Sequence, residues 1–159
     1  MINPIACIRE GSIVYPGVIY GNNFSTGHNV LIRDPITIGD NVLVGSGTVI
    51  EGECKIGNNV KIQSMVFIPR NVIIGNNVFI GPRVVFTNDK YPPSDELKTT
   101  YVKDKVVIGA GAIILPGIRL GEGCFIAAGA LVTKNVPPGK MAIGVPAKIV
   151  DMPEGMNRD

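Results

Sequence analysis

Apolar residues return at every sixth position along most of this chain. Ile32, Ile38, Val44, Ile50, Ile56, Ile62, Ile68, Ile74, Ile80 and Phe86 keep the beat. Counting back gives Thr26, Tyr20, Val14 and Ile8, and a second run follows in Ile108, Ile114, Leu120, Ile126 and Val132. Small or β-branched residues such as Val42, Thr48, Cys54, Val60 and Val66 stand two places earlier. Glycine often stands one place later, as at Gly39, Gly45, Gly57, Gly75 and Gly81. A beat of six is neither the helical period nor simple alternation. It describes a short strand and a turn, repeated.

A longer beat lies over the short one. Tyr20, Ile38, Ile56 and Ile74 each precede a Gly-Asn/Asp-Asn turn, and they stand 18 residues apart. Three hexads therefore close one triangular coil, and like turns stack at one corner about 4.8 Å apart. A single coil cannot bury its own apolar face, whereas a pile of coils makes a continuous column. The expected fold is all-β, a single-stranded parallel β-helix.

Composition agrees. Hydrophobic residues make up 45% of the 159 and charged residues 18%, with 20 glycines, 12 prolines and no tryptophan. Such a chain suits many short strands and tight turns. A net charge of +2 is too small for a nucleic-acid footprint. Cys7, Cys54 and Cys124 form no CxxC pair and read as small buried hydrophobes of a reducing compartment. No apolar stretch reaches the roughly 20 residues of a membrane span, and the first residues lack a signal-peptide pattern. A soluble, cytoplasmic protein with one domain over residues 1–150 and a short tail over 151–159 is expected.

The rhythm fails once, after Phe86, and resumes at Ile108. Ile68-Pro69 before Ile74-Gly75 resembles Leu115-Pro116 before Leu120-Gly121, so Leu120 is expected to share a corner with Ile74. Their separation exceeds two coils by ten residues. About ten residues are thus looped out, within an external segment placed at about 88–105. Insertions in solenoids gather on one face and often carry the site.

Several stretches resemble one family. Ile108–Ala112, Leu115–Ile118, Leu120–Cys124, Ala127–Pro138 and Gly144–Lys148 are similar to the C-terminal half of hexapeptide-repeat acyltransferases. Within that family, Phe86–Pro92 resembles the loop entry of nucleotide-sugar N-acetyltransferases of surface-polysaccharide biosynthesis. Asn3–Ala6, Cys54–Gly57 and Lys61–Gln63 are compatible with them. The resemblance implies a left-handed coil, acetyl-CoA as acyl donor, no metal, a nucleotide-linked amino sugar as acceptor, and a homotrimer with sites between subunits. One departure stands out. Sugar O-acetyltransferases of the superfamily carry a loop histidine, and here Asn88 and Asp89 take that place.

Loss of the loop histidine favours amine over alcohol, since an alcohol needs a positioned base at neutral pH. His28, the lone histidine, has the right chemistry for a base and is expected to face outward. Asn88 and Asp89 are candidates to hold the sugar and take the amine's proton, or else simply to turn the chain outward. Gln63, standing where glycine is usual, and Arg83, Lys90 and Tyr91 are candidate substrate contacts. Gly109, Ala110, Ala127 and Ala128 would leave room for the pantetheine arm, and Lys134 and Lys148 would meet the CoA phosphates. An O-acetyltransferase and a non-catalytic scaffold are the alternatives. A zinc site of three histidines is ruled out by the single histidine.

Overall fold

The computed structural model describes residues 5–156. It is a left-handed parallel β-helix, with strands of two or three residues in the coils and of five in the closing hairpin, forming three flat sheets. The first sheet stacks seven strands, Ile13–Val14, Leu31–Ile32, Val49–Ile50, Phe67–Ile68, Val85–Phe86, Ile113–Ile114 and Leu131–Val132. We number the coils one to seven by these strands. The second sheet has six strands and the third eight. All neighbours are parallel except the closing hairpin, where Lys140–Gly144 pairs antiparallel with Ala147–Asp151. The expected tail over 151–159 thus begins inside a strand, and its last three residues lie outside the described ones.

The six-residue beat is the core. Ile32, Val44, Ile50, Ile62, Ile68, Ile80, Phe86, Ile108, Ile114 and Ile126 are fully buried in one continuous cluster. Cys54 and Cys124 are buried as expected, but Cys7 is exposed, because it pairs with Ser25 in the outward column of the third sheet.

Glycine follows the beat because of the close stack. A Cβ on Gly57 would sit 2.5 Å from the Gly75 carbonyl oxygen, and one on Gly109 would sit 2.5 Å from the Ala128 nitrogen. The outer edge, between the second and third sheets, is tied by two ladders. Asn23, Asn41 and Asn59 each donate a side-chain amide hydrogen bond to the asparagine of the next coil, a ladder that ends at Asn77. Their neighbours Asp40, Asn58, Asn76 and Asp104 each accept the backbone N–H of the coil below.

Val72 pairs with Thr100, 28 residues on, where other coils pair at 18, so ten residues are looped out. Ile74, Val102 and Leu120 then share one column. The excursion is shorter than 88–105, because Thr100–Val102 is already a strand of the second sheet. Asn88 carbonyl oxygen accepts the Lys98 N–H at 2.7 Å and closes the neck.

Candidate active site

Two edges border the first sheet. The leading edge enters it, through residues 27–30, 45–48, 63–66, 81–84, 109–112 and 127–130 of coils two to seven. Backbone hydrogen bonds hold it in register: Gly47 N–H donates to His28, Met65 to Ser46, Arg83 to Ser64, Gly111 to Pro82 and Gly129 to Ala110. The trailing edge leaves the sheet and carries the excursion from coil five.

The sequence candidates divide between these edges. His28, Gln63, Arg83, Gly109, Ala110, Ala127 and Ala128 stand on the leading edge. Asn88, Asp89, Lys90, Tyr91 and Lys134 stand on the trailing edge. The two edges are about 15 Å apart across the sheet, at roughly 3.3 Å per residue. The chain by itself therefore does not bring the two sets together. His28, exposed in coil two, is also three coils, about 14 Å, below the level of Asn88. His28, Asn88 and Asp89 do not form a triad within one chain.

The small residues gather at the top of the leading edge. Ala110 and Ala128 are exposed, and a Cβ on Gly111 or Gly129 would meet nothing within 4 Å. A thin chain can lie against that strip. Gly109, by contrast, is demanded by stacking alone. Ala142 pairs with Ile126, which puts the turn after Ile143 above Ala127 and Ala128. Lys148 stands beside that turn, paired with Ile143, while Lys134 stands on the trailing edge of the same coil.

In the excursion, Asp89 is a staple. One carboxylate oxygen accepts the Tyr91 N–H at 3.1 Å and the Ser94 hydroxyl at 2.8 Å, and the other accepts the Ser94 N–H at 2.7 Å. Lost solvation raises the Asp89 pKa, yet these bonds together hold it below the usual carboxylate value. A carboxylate so engaged is a weak base, and of the two readings of Asp89 the structural one fits. Asn88 donates from its amide to the Arg70 carbonyl at 3.1 Å, which leaves its side-chain oxygen for a ligand. Lys90 stands 5.5 Å from the exposed Tyr91 ring.

Two buried thiols bear on mechanism. Burial pushes Cys54 up to about 11 and Cys124 up to about 12. Neither is a thiolate near neutrality, so neither can carry an acyl group as a nucleophile. Among the described residues no group of three or more His, Cys, Asp or Glu is placed to hold a metal ion. No helix among the described residues is long and apolar enough to cross a membrane.

Sequence reasoning missed Tyr101 and its cations. Arg119 lies 4.8 Å and Lys103 5.8 Å from that ring, on the outward face of the second sheet. The strand holding Tyr101 was hidden inside the presumed excursion.

Residues 53–88 and 99–134 match a family model described as bacterial transferase hexapeptide (six repeats). Residues 35–64 match a second, described as hexapeptide repeat of succinyl-transferase. Together they cover more than half of the chain, and the unmatched gap, 89–98, is the looped-out decade.

The chain belongs to the hexapeptide-repeat family.

Among relatives, 71 residues are 42% identical to 2,3,4,5-tetrahydropyridine-2,6-dicarboxylate N-acetyltransferase of Staphylococcus aureus, covering 45% of this chain and 29% of that protein. The solved structure of WeeI from Acinetobacter baumannii superposes with a TM-score of 0.68 at 26% identity, over 80% of this chain and 59% of WeeI. A variant of AntD, an N-acyltransferase from Bacillus cereus in complex with dTDP-4-amino-4,6-dideoxyglucose and coenzyme A, superposes at 0.70. It is 18% identical and matched over 92% of this chain and 82% of AntD, a likeness of fold. This hexapeptide-repeat protein thus spans 29% of the first of these relatives and 59% of the second.

Proposed function

We propose that this hexapeptide-repeat protein is an acetyl-CoA-dependent N-acetyltransferase of a nucleotide-linked amino sugar, acting as a homotrimer in the cytoplasm. One observation carries the assembly. The outward column of the first sheet is Ile13, Leu31, Val49, Phe67, Val85, Ile113 and Leu131, apolar at every coil. The other sheets interrupt theirs with Lys55 and Arg119, or with Ser25 and Lys61. Ile13 is 58% and Ile113 40% exposed in the single chain. A continuous apolar strip of this kind calls for a partner surface.

A closed threefold assembly that turns the first sheets toward its axis solves two problems at once. It covers the strip. It also seats the leading edge of one protomer beside the trailing edge of the next at equal height, since a cyclic operation has no translation along its axis. The two candidate sets, separate in one chain, then face one cleft. Its upper end has the small-residue strip, with Lys148 on one side and Lys134 on the other. That fits the thin pantetheine arm and the phosphates of acetyl-CoA.

The reaction is attack of the neutral amine on the thioester carbonyl, through a tetrahedral oxyanion that expels the CoA thiolate, while the proton lost from the amine nitrogen passes to that thiolate or to solvent. The excursion offers no histidine, Asp89 is a weak base, and His28 stands about 14 Å lower. Such a site suits an amine, which needs less base assistance than an alcohol. The support is this convergence, together with the acceptor and CoA bound by AntD and the acetyl transfer performed by the Staphylococcus aureus relative.

The test is release of CoA thiol from acetyl-CoA with dTDP-4-amino-4,6-dideoxyglucose and other nucleotide-linked amino sugars, against their hydroxyl counterparts. Faster turnover of the hydroxyl sugars would overturn N-acetylation. Mixing an Arg83→Ala protein with an Asn88→Ala protein tests the shared cleft. Random trimers regain about a quarter of intact sites if the edges come from different protomers, and none if one protomer supplies both.

A further inference from the structure

The leading edge keeps the repeat poorly at two adjacent coils. Its left-handed turn position holds Asn29, Gly47, Gly111 and Gly129 in coils two, three, six and seven. In coils four and five it holds Met65 at φ 60° and Arg83 at φ 59°. Neither residue type is suited to that conformation. Coil four departs a second time, because Gln63 fills the position held by Gly27, Gly45, Gly81 and Gly109. Glu53 on the trailing edge and Lys105 on the outer edge hold the same conformation, so it is the side chains, rather than the strain, that mark these two coils.

The side chains make a pattern. Met65 is 59% exposed, and its sulfur lies 2.4 Å from where a Cβ on Gly47 would be. The thioether is therefore laid flat in the notch that Gly47 leaves. A polarizable sulfur offers a surface to an aromatic ring. Gln63, on the same turn, offers an amide with donors and acceptors. Arg83, one coil or about 4.8 Å higher, is exposed and forms no ion pair among the described residues.

We infer that Met65 and Gln63 hold the base, and Arg83 the diphosphate, of a nucleoside diphosphate lying on the leading edge at coils four and five. This rests on the acetyltransferase reading and deepens it. The acceptor occupies coils four and five, the donor coils six and seven, and the amine meets the thioester where the excursion crosses. Met65 is a specificity residue through its contact with the ring.

Calorimetric titration of dTDP, UDP and GDP into the full chain tests this directly. At least one binds the native protein. Met65→Asn, which restores a residue suited to the turn, weakens it about three- to tenfold, the worth of a sulfur–ring contact. Arg83→Asn weakens it on the order of tenfold or more, as for a lost charge-assisted bond. The KM for acetyl-CoA stays constant in both, and the Met65→Asn protein unfolds at no lower temperature than the native one. No binding by any of the three nucleotides, or equal binding by native and variant proteins, overturns the inference. So does a KM for acetyl-CoA that rises in step. Nucleotide binding with these losses but no acetylation of any amino sugar would remove the acetyltransferase reading and leave the nucleotide site standing. Equal use of the amino sugar 1-phosphate and its nucleotide form would do the reverse.

Discussion

The outer and leading edges are built from the same turn and have diverged. On the outer edge, Asn23, Asn41 and Asn59 each spend a side-chain amide on the next coil. On the leading edge, the equivalent positions run through Asn29, Gly47, Met65, Arg83, Gly111 and Gly129. The first arrangement favours stability, because asparagine tolerates the left-handed conformation and its amide bridges coils. The second leaves side chains or bare backbone facing outward. A solenoid thus separates its tasks by edge: the fold rests on residues that repeat and the chemistry on residues that do not.

That contrast can be broken hardest at what both edges share. Ile62, fully buried between them, should cost about 2–5 kcal/mol when cut to alanine, the usual range for a large core truncation. Urea unfolding would show the loss. Asn59→Ala should cost less, about 1–2 kcal/mol, for its share of the ladder and the strain of alanine in a left-handed turn. The same measurement on Met65→Asn should show no loss. If Asn59→Ala proved harmless, the ladder would be decoration and the distinction between edges would fall.

The fold was legible because every coil restates it. Ile32 to Phe86 declare the period, and comparison of Ile74 with Leu120 even gives the ten-residue excess. The return of the chain was not legible. Thr100 puts a hydroxyl where other coils have Val72 or Ile118, and Lys103 and Lys105 replace the Gly and Asn of the turn, so the hexad is masked. The candidate site was legible as residue types but not as an arrangement. Nothing in the spacing of His28, Asn88 and Asp89 reveals that they stand on different edges and levels. The engagement of Asp89 depends on how Ser94 folds back, which no periodicity encodes.

The masked strand yields a gain of stability. The Thr100 hydroxyl is buried with no hydrogen-bond partner among the described residues. An orphaned buried hydroxyl costs about 1–3 kcal/mol. Thr100→Val keeps the shape and should raise stability by about 1 kcal/mol, read as a higher urea midpoint at an unchanged slope. A loss instead would mean that the hydroxyl has a partner in the assembled protein.

The smallest effect belongs to the excursion itself. Asp89 titrates below the ordinary carboxylate value because Ser94 and Tyr91 donate to its charged form. A carboxylate whose pKa is depressed on folding contributes above its unfolded value of 3.8 and loses that contribution as pH falls through the folded one. The excursion should therefore loosen only in acid, below about pH 4, while the coils, held by aliphatic packing, do not respond to this group. Amide exchange of Tyr91 and Ser94 should accelerate relative to the coils in that window. Asp89→Asn should bring the same acceleration to neutral pH with no change in the unfolding midpoint. A midpoint that fell with it would tie the excursion into the cooperative fold and make the trailing edge, like the outer one, a structural element.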